Sequence, residues 1–584
     1  SGAQRGSVTQ KVGDFFASGM DTDAIERAGT EPLRPMLAQI AAVHDAQSLV
    51  ACIGALHQLG ADPLFAFGAR PDDKNSTTVI AQLYQGGLGL PDREYYFAAD
   101  KASLKEEYQA HVGAMLALVA VPDAPAAAEA VLALETELAA ASLTKVERRD
   151  PQRTYNKLNL RQLMDGGEAL PWDVFFRAIG LGDPGAVNVE HPPFMTRAGE
   201  LVHRTALKTW KSYLTWRAVH AMAPFLSEAF VHENFRFYGK ALGGAQALRP
   251  RYKRVLDHAD AFIGEALGQL YVVQAFPPSA KQRAAQIVES LNHAMRTRIL
   301  GLEWMSDATK EKALVKLDKF QVKIGYPDAW IDYSTLDVSR DAYATNILRA
   351  QRFAFLRELQ RINQPVDRGR WEMTPQTVNA YYDPQLNEIV FPAAILQYPF
   401  FDADADDAFN YGAMGAVIGH EITHGYDDQG RQYDGDGNIN DWWTDDDEAK
   451  FKVRAAKIIS QFNHYSVFDH PVNGDLTQGE NIADLGGLKV AFRALQETMA
   501  KSKAVPQRLD GFTPEQRFFL SWAQIWRNQV RPETALQRLA TDPHAPGELR
   551  VNGPLSNLPE FYAAFGIRPG DNMHRVAEDR VNIW

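Results

Sequence analysis

The stretch GHEITHGYDD holds the residues whose types and spacing best suit metal chemistry in this sequence. His420 and His424 are four residues apart, so on a helix they share one face and their imidazoles can reach one zinc ion. Glu421 flanks the same ion, where a carboxylate can act as a general base. The alternative is a pair of hydrogen-bonded histidines on a core helix. Because the preceding GAVIG turn is apolar, two unpartnered rings would be costly there, which favours zinc.

A catalytic zinc ion needs a third protein ligand and an open position. The spacing of thermolysin and the aminopeptidases puts a glutamate where Thr444 stands here, and the metzincin spacing puts a histidine where Gly430 stands, so both are excluded. The next candidate is Glu480 in TQGENIADLGGL, with Asp484 four residues further on the same helix face. Glu480 also fits a capping box with Thr477, so the local sequence leaves a ligand and a helix cap equally open.

These residues need a helix and strands to position them. YGAMGAVIGHEITHGYDD is rich in small and apolar residues, which predicts a buried helix that ends near Gly430. TVNAYYDPQLNEIVFP is rich in β-branched and aromatic residues, and its turn residues DPQLN predict a β-hairpin. Helical sequence resumes from about Thr477. Upstream, residues 1–343 are mostly helical in pattern, so the main boundary is predicted near residues 340–350.

Size and charge limit the class of protein. The 584 residues exceed what one compact domain normally holds, so two or three lobes are expected. The sequence is 45% hydrophobic and 23% charged, which is typical of a globular protein with a large core. With 61 Lys and Arg against 73 Asp and Glu, the net charge is −12. Because phosphate binding needs a positive field, this charge argues against nucleic acid and anionic membranes as partners.

Disulfides, a membrane span and a leader are not expected in this chain. Cys52 is the single cysteine, which excludes an internal disulfide. The best candidate for a membrane span, from Ala114, is interrupted by Pro122, Asp123 and Pro125 and falls short of the ~20 apolar residues required. The N-terminus SGAQRGSVTQ has no basic segment followed by an apolar one, so we expect that no leader is present in this chain.

Several blocks of the sequence together resemble the neprilysin family of zinc endopeptidases, which includes neprilysin, endothelin-converting enzyme and bacterial oligopeptidases. The blocks are VNAYYDPQLNEIVFPAAILQYPFF, GHEITHGYDDQGRQYDGDG, DWW, GENIADLGGL and DPHAPGELRVNGPLSN. The resemblance is dense from about residue 370 to the end of the chain. It extends thinly upstream through GLGLPDREYYF, RRDPQRTYNKL and GYPDAW.

The resemblance implies roles around the metal. Glu480 matches the family's third zinc ligand beside His420 and His424, which implies one zinc ion per chain. Glu421 matches the general base. Asp484 and Asp427 match two carboxylates that support the zinc-ligating histidines. His544 matches the residue that donates to the oxyanion. Arg550 matches the residue that donates to a substrate carbonyl.

The resemblance also implies how a substrate is held. Asn379 and Ala380 match the residues that align the substrate backbone, and a peptide laid along that strand edge would pair as an added strand. The hydrophobic lining of the family's specificity pocket matches Ile395, Phe400, Val417, Ile525 and Trp526. A large apolar residue just after the cleaved bond is therefore the implied preference. Ala416 stands where neprilysin has a methionine, so the resemblance does not fix the depth of this pocket.

The implied fold is mainly α (α+β), with two lobes that enclose a central cavity. Residues 1–343 would form a large helical lobe, with a segment near residues 151–180 as a candidate to cross to the other lobe. Residues 344–584 would form a thermolysin-like zinc peptidase lobe. The expected substrates are oligopeptides, and the expected state is a monomer. The expected location is the periplasm or another extracytoplasmic compartment of a bacterium.

Two alternatives from other functional classes remain open. One is a catalytically silent, peptide-binding relative, although the presence of Glu421 argues against it because binding alone needs no base there. The other is a zinc hydrolase of another class, such as an aminopeptidase. Cleavage at internal bonds of blocked peptides would exclude an exopeptidase.

Overall fold

Helices dominate both parts of the chain and pack into two units. A computed structural model describes residues 2–165, 169–502 and 507–584. The first unit comprises Ser1–Asp72, Thr77–Leu267 and Ile331–Val366, and the second comprises Asp73–Ser76, Gly268–Trp330 and Asp367–Trp584. The predicted fold class, mainly helical with two lobes, is confirmed. Within the described ranges, no helix is long and apolar enough to cross a lipid bilayer.

The α-helices supply most of the ordered structure. Up to residue 275 they are α1 (Val8–Met20), α2 (Thr22–Ala28), α3 (Arg34–Ala41), α4 (Ala46–His57), α5 (Glu94–Phe97), α6 (Ala102–Leu118), α7 (Ala124–Ala141), α8 (Pro151–Thr154), α9 (Leu160–Met164), α10 (Trp172–Ile179), α11 (Pro192–Arg204), α12 (Leu207–Met222), α13 (Glu228–Asn234) and α14 (Arg251–Ala275). From residue 278 onward they are α15 (Pro278–Leu300), α16 (Asp307–Asp318), α17 (Tyr343–Arg361), α18 (Asp407–Asn410), α19 (Ala416–His424), α20 (Asp445–Asn463), α21 (Gly474–Lys501), α22 (Pro514–Ile525), α23 (Pro532–Thr541), α24 (Gly547–Leu555) and α25 (Pro559–Phe565).

The strands form three small sheets in the described part of the chain. The first sheet has the order β1-β2-β4-β3, the second β5-β7-β6 and the third β8-β9. In the second sheet β5 runs parallel to β7, whereas β6 runs antiparallel to it. The strand bounds are β1 (Phe65–Asp72), β2 (Asn75–Gln85), β3 (Lys157–Asn159), β4 (Ala186–Val189), β5 (Gln321–Gly325), β6 (Tyr381–Asp383), β7 (Glu388–Pro392), β8 (Ser466–Val467) and β9 (His470–Pro471).

The division into units differs from a single boundary at residue 343. Residues 268–330 group with the C-terminal part because α15 packs on α21 and β5 pairs with β7 from Gln321↔Glu388 to Gly325↔Pro392. Residues 331–366 group with the N-terminal part because α17 packs against α1 and β1. Residues 151–180 lie in the first unit where they are described. Contacts between segments far apart in sequence therefore decide the division.

The predicted β-hairpin is confirmed as β6 and β7. The two strands pair from Tyr381↔Val390 to Asp383↔Glu388. Asp383 Oδ1 accepts the backbone N–H groups of Gln385 and Leu386 at 2.9 and 3.2 Å, which closes the turn. In the sheet order β6 has β7 on one side only, so its other side is a sheet edge in the described structure.

Candidate metal centre and active site

The H-E-x-x-H motif lies on α19, at the end of a buried helical segment. α18 leads into a π-helical turn, Tyr411–Gly415, and then into α19. The predicted buried helix is thus confirmed, but the predicted end near Gly430 is wrong because α19 ends at His424. Just beyond it, Asp427 Oδ1 accepts the N–H groups of Gln429 and Gly430 at 2.9 and 2.7 Å. Such side-chain bonds to the backbone compete with continuation of a helix.

Two glycines let α19 and α21 approach backbone to backbone. A Cβ atom on Gly487 would lie 2.5 Å from the backbone nitrogen of His420 and 2.7 Å from the carbonyl oxygen of Ala416. A Cβ atom on Gly419 would lie 2.7 Å from the carbonyl oxygen of Gly487. Gly487 is seven residues after Glu480, so both lie on one face of α21. This close crossing therefore places Glu480 against the motif histidines.

Gly487→Ala is expected to separate the two helices and weaken the site. Real Cβ atoms do not approach backbone atoms so closely, so α21 must shift, at a cost of about 1–3 kcal/mol in the free energy of unfolding. Thermal unfolding and zinc titration would measure the two effects. Gly13→Ala in α1, where a Cβ would meet nothing within 4 Å, is the control and is expected to be neutral or stabilising. A parent-like Tm and zinc affinity for Gly487→Ala would contradict this account.

Three potential metal ligands converge on one point in the second unit. His420, His424 and Glu480 offer ligand atoms that all lie within 4.8 Å of one another. Glu480 Oε2 is 3.2 Å from His420 Nε2 and 3.5 Å from His424 Nε2, and the two Nε2 atoms are 2.9 Å apart. Three atoms at zinc-bonding distance in a tetrahedral arrangement lie roughly 3.3 Å apart. The observed separations therefore fit one zinc ion.

The surroundings of the Glu480 carboxylate also suit a metal ligand. Its Oε2 atom is buried and makes no hydrogen bond of acceptable geometry with any described residue, although three imidazole Nε2 atoms lie 3.1–3.5 Å from it. A buried carboxylate oxygen without a partner is costly. A metal ion among these nitrogens and this oxygen removes that cost, so the donor set fits zinc.

The helix-cap alternative for Glu480 is overturned. α21 begins at Gly474, and its N-cap is Asn473, whose side chain accepts the N–H of Leu476 at 3.0 Å. Thr477 lies inside the helix, where its hydroxyl donates to the carbonyl oxygen of Asn473 at 3.1 Å. Glu480 is therefore in the second turn of the helix and is not part of a capping box.

Two carboxylates orient the histidines from behind. His420 Nδ1 donates to Asp484 Oδ1 at 2.8 Å, and His424 Nδ1 donates to Asp427 Oδ2 at 2.7 Å. These bonds hold each ring with its Nε2 towards the convergence point, where Nε2 becomes a metal ligand when it carries no proton. Carboxylates that hold metal-binding histidines in this way are usual in zinc sites.

Arg550 binds the carboxylate behind His420. Its Nε donates to Asp484 Oδ2 at 2.8 Å and its Nη2 donates to Asp484 Oδ1 at 2.7 Å, a bidentate pair. The guanidinium carbon lies 3.8 Å from the ring centre of Trp526. The sequence pointed to both Asp484 and Arg550, but it did not indicate that they bind each other.

The ionisation of the site follows from burial and from these pairs. Burial alone would raise the pKa of Asp484, but Arg550 lowers it. Burial likewise opposes ionisation of Glu480, yet His424 and His544 hold its pKa well below the ordinary range. Burial would lower the pKa of His424, but Glu480 and Asp427 raise it well above the usual value. The carboxylates therefore stay charged next to the imidazoles, as a cation site requires.

Glu421 is placed where a base can work. It is buried on α19 beside both histidines, and its carboxylate accepts no hydrogen bond from the described residues. Burial raises the pKa of its carboxyl, and the imidazoles of His420 and His424 oppose that shift. A raised carboxyl pKa brings a general base closer to neutral pH.

His544 reaches the same point from the segment before α24. Its Nε2 lies 3.1 Å from Glu480 Oε2, and its side chain is 41% exposed to solvent. Its Nδ1 donates to Asp542 Oδ1 at 2.8 Å, which fixes the ring. Although burial acts the other way, Glu480 and Asp542 raise the pKa of His544 to about 9. The ring therefore presents its Nε2 near the convergence point, where it can donate a hydrogen bond.

The predicted substrate-aligning residues lie next to the edge strand. Asn379 and Ala380 directly precede β6, with Asn379 exposed and Ala380 buried. The predicted pocket residues all belong to one apolar cluster of the second unit, either buried in it or packed against it as half-buried side chains: Ile395, Phe400, Val417, Ile525 and Trp526. Ala416 is buried in the same cluster.

One buried residue near the site was missed by the sequence reasoning. Lys316 in α16 is 1% exposed, and its Nζ donates to the carbonyl oxygens of Gly430 and Tyr433 at 2.7 and 2.8 Å. It thus holds the loop that follows α19. The sequence DATKEKALVKLDKF carries several lysines that look like a solvated helix face, so nothing there marked Lys316.

Comparison with known proteins decides the family. Two models of peptidase family M13 match the chain, one over residues 1–327 and one over residues 379–581. The chain belongs to peptidase family M13. Its M13 relatives include Neprilysin-3 of Drosophila melanogaster, 33% identical over 614 residues, with 99% of this chain and 78% of that protein covered. Endothelin-converting enzyme 1 of Bos taurus is 34% identical over 541 residues, with 89% and 71% covered.

Solved structures of M13 peptidases agree with this assignment. A crystal structure of Mycobacterium tuberculosis zinc metalloprotease Zmp1 in complex with an inhibitor has a TM-score of 0.96 and 43% identity, and covers 100% of this chain and 90% of that one. PepO from Lactobacillus rhamnosis has a TM-score of 0.88 and 28% identity, with 100% and 91% covered. The predicted neprilysin-family resemblance is confirmed, and the chain is a zinc metalloendopeptidase.

Proposed function

We propose that this M13 peptidase cleaves internal bonds of oligopeptides and prefers a large hydrophobic residue just after the scissile bond. The observation that carries the proposal is the convergence of His420, His424 and Glu480 beside the buried carboxylate of Glu421. Two imidazoles and a carboxylate with an adjacent base form the donor set of a hydrolytic zinc site. In this proposal His420, His424 and Glu480 hold one zinc ion per chain.

The chain's own residues supply the proton transfers. When bound, zinc supplies Lewis acidity that eases the ionisation of water and polarises a carbonyl group. Glu421 takes the proton of the attacking water on a carboxylate oxygen and delivers it to the leaving nitrogen. The Nε2–H of His544 donates to the oxygen that becomes negative in the tetrahedral state. Asp484 and Asp427 keep the histidine rings in place throughout.

Substrate alignment follows from the edge strand and from Arg550. A peptide beside β6 pairs with the backbone at Asn379 and Ala380 as an added strand, which reads little sequence. Arg550 gives two of its donors, Nε and Nη2, to Asp484, so Nη1 is the group assigned to a substrate carbonyl. Both ends of the bound stretch are then held by main-chain contacts, and specificity depends on the side-chain pocket.

The pocket is assigned to the apolar cluster next to α19. Phe400 is half-buried against this cluster, so its ring is a surface that a substrate side chain can cover. Phe400→Ala is expected to lower kcat/KM about tenfold for substrates with a large apolar residue after the cleaved bond, since one side chain in such a pocket is worth about 1–3 kcal/mol. Phe353→Ala, which removes a half-buried ring stacked on Tyr333 in the first unit, is the control. Equal losses in both variants would contradict the assignment.

A mixed peptide library tests the function directly. Mass-spectrometric mapping of the cuts, with and without chelator, is expected to show zinc-dependent cleavage at internal bonds before Phe, Leu or similar residues. Peptides blocked at both ends should be cut, which an aminopeptidase cannot do. Zinc-dependent binding without cleavage would favour a catalytically silent, peptide-binding protein instead and would overturn the proposal.

The proposal includes a monomeric enzyme in an extracytoplasmic compartment of a bacterium. The family resemblance supports both points, and the 43% identity to a mycobacterial metalloprotease supports a bacterial source. Light scattering coupled to size exclusion, together with elemental analysis, would give the mass of the particle and the zinc content per chain. A stable dimer, or two zinc ions per chain, would contradict this part of the proposal.

A further inference from the structure

Lys316 carries a buried amine that contacts the loop after the motif helix. It lies in the last turn of α16 and donates to the carbonyl oxygens of Gly430 and Tyr433. Its Nζ also lies 5.7 Å from the ring centres of both Tyr382 and Tyr426. Tyr382 belongs to β6 and Tyr426 follows α19, so the amine lies near both this strand and this loop.

A short chain of hydrogen bonds leads from this amine to His424. Lys316 Nζ binds the carbonyl of Gly430, and the N–H of Gly430 donates to Asp427 Oδ1 at 2.7 Å. Asp427 Oδ2 in turn accepts from His424 Nδ1 at 2.7 Å. The loop folds back so tightly that a Cβ atom on Gly430 would lie 1.8 Å from the carbonyl oxygen of His424. Gly430 therefore helps to position Asp427, whose Oδ1 also accepts the N–H of Gln429 at 2.9 Å.

The helix that carries Lys316 is itself anchored. The hydroxyl of Thr309, near the start of α16, donates to Asp447 Oδ2 at 2.6 Å. In the middle of the helix, the carbonyl of Ala313 accepts from the hydroxyl of Tyr426 at 2.8 Å. The ammonium group thus comes from a fixed element, which is what positioning another group requires.

Burial of a charged amine costs free energy, and the contacts of Lys316 must offset part of that cost. Taking such a charge out of water costs several kcal/mol even after relaxation. Burial lowers the pKa of Lys316 to about 7, against the opposing effect of Asp427 and Asp434. An apolar side chain of similar length would avoid this cost, but it would remove the Lys316 hydrogen bonds to Gly430 and Tyr433. The two carbonyls would keep only the N–H of Tyr433 and the Nε1–H of Trp442, which come from the loop itself.

We propose that Lys316 is a positioning residue for the zinc site, which acts by fixing Gly430 so that Asp427 holds the ring of His424. The inference rests on the proposed ligation of zinc by His424. It predicts that the side chain affects metal affinity through Asp427, with no contact of its own to zinc or substrate.

A double-mutant cycle tests this route. Lys316→Met is expected to raise the zinc Kd about tenfold in chelator competition, at the lower end of the 10- to 100-fold effects of residues behind metal ligands. In an Asp427→Asn background the chain of bonds is already broken, so Lys316→Met should add less than about twofold. Should Lys316→Met fail to fold, Lys316→Gln carries the same cycle, because its side chain is one bond shorter and its amide no longer reaches both carbonyls while still giving the buried position a polar group.

A second buried lysine provides the matched control. Lys11 is 7% exposed in the first unit, and its Nζ donates to the carbonyl oxygen of Leu336. Lys11→Met is expected to lower the Tm without changing the zinc Kd. A role of Lys316 in stability alone would give that same result for Lys316→Met, so the zinc Kd separates positioning from general destabilisation.

The outcomes distinguish this inference from the proposed function. A folded Lys316→Met enzyme with the parent's zinc Kd would overturn the inference and leave the zinc site intact. A full tenfold loss in the Asp427→Asn background would also overturn it, because Lys316 would then act by another route. A parent protein that binds no zinc would contradict the proposed function, and the inference would fall with it.

Discussion

Glu421→Gln is expected to remove nearly all turnover while zinc stays bound. The change keeps the size of the side chain but takes away the group that accepts the proton of the attacking water, so kcat should fall by about 10²–10⁴-fold. Glu421 lies beside His420 and His424 and is not one of the three convergent ligands, so zinc affinity should change little. A quenched fluorescent peptide would report kcat, and elemental analysis would report zinc.

Glu548→Gln is the control for this variant. Glu548 is an exposed glutamate in the first turn of α24, so the same chemical change there should leave both activity and metal unchanged. Near-normal turnover in Glu421→Gln would remove the general-base role. Loss of zinc from that variant would mean that Glu421 helps to bind the metal, which the geometry does not support.

The sequence identified the two histidine ligands from spacing alone, but not the third ligand. Residues four apart on a helix lie on the same face, and His420 and His424 do so on α19. Glu480 lies 56 residues beyond His424, so no helical spacing connects it with the histidines. Its role had to be judged from its neighbours in sequence, where Thr477 looks like an N-cap residue. Asn473 caps the helix instead, and both residue types are good N-caps. The family resemblance favoured the ligand role, and the structure supports it with the distances.

Long-range pairing accounts for what the sequence left out. The parallel pairing of β5 with β7 joins residues 67 positions apart, and no local pattern in either strand indicates its partner. The π-helical turn before α19 has no sequence signal that we could use either. The roles of Lys316 and of the Asp484–Arg550 pair likewise depend on which elements pack together. Local periodicity therefore predicted the helices and strands, whereas tertiary packing determined which residues support the metal ligands.

Glu480→Ala is expected to have the largest effect on the metal. The carboxylate is the one anionic member of the three convergent ligands, and its loss leaves two neutral imidazoles for a divalent ion. Zinc affinity should fall by more than the ~100-fold seen when residues behind the ligands are changed, and activity should fall with it. The apo protein should lose only a little stability, namely the part that attraction between Glu480 and the imidazoles of His424 and His544 contributes.

A large loss of metal affinity with only a small loss of apo stability separates a ligand from a structural residue. If Glu480 mainly held α21 in place, its loss would lower the Tm of the apo protein and would affect zinc only in proportion. Glu497→Ala, on the same helix, removes an exposed ion pair with Arg493 and should alter neither quantity by much. Full zinc occupancy in Glu480→Ala would show that two histidines suffice, and the ligand set would have to be revised. Lost zinc with an apo Tm close to that of the apo parent is the result that a ligand role requires, since the ion then depends on that carboxylate far more than the fold does.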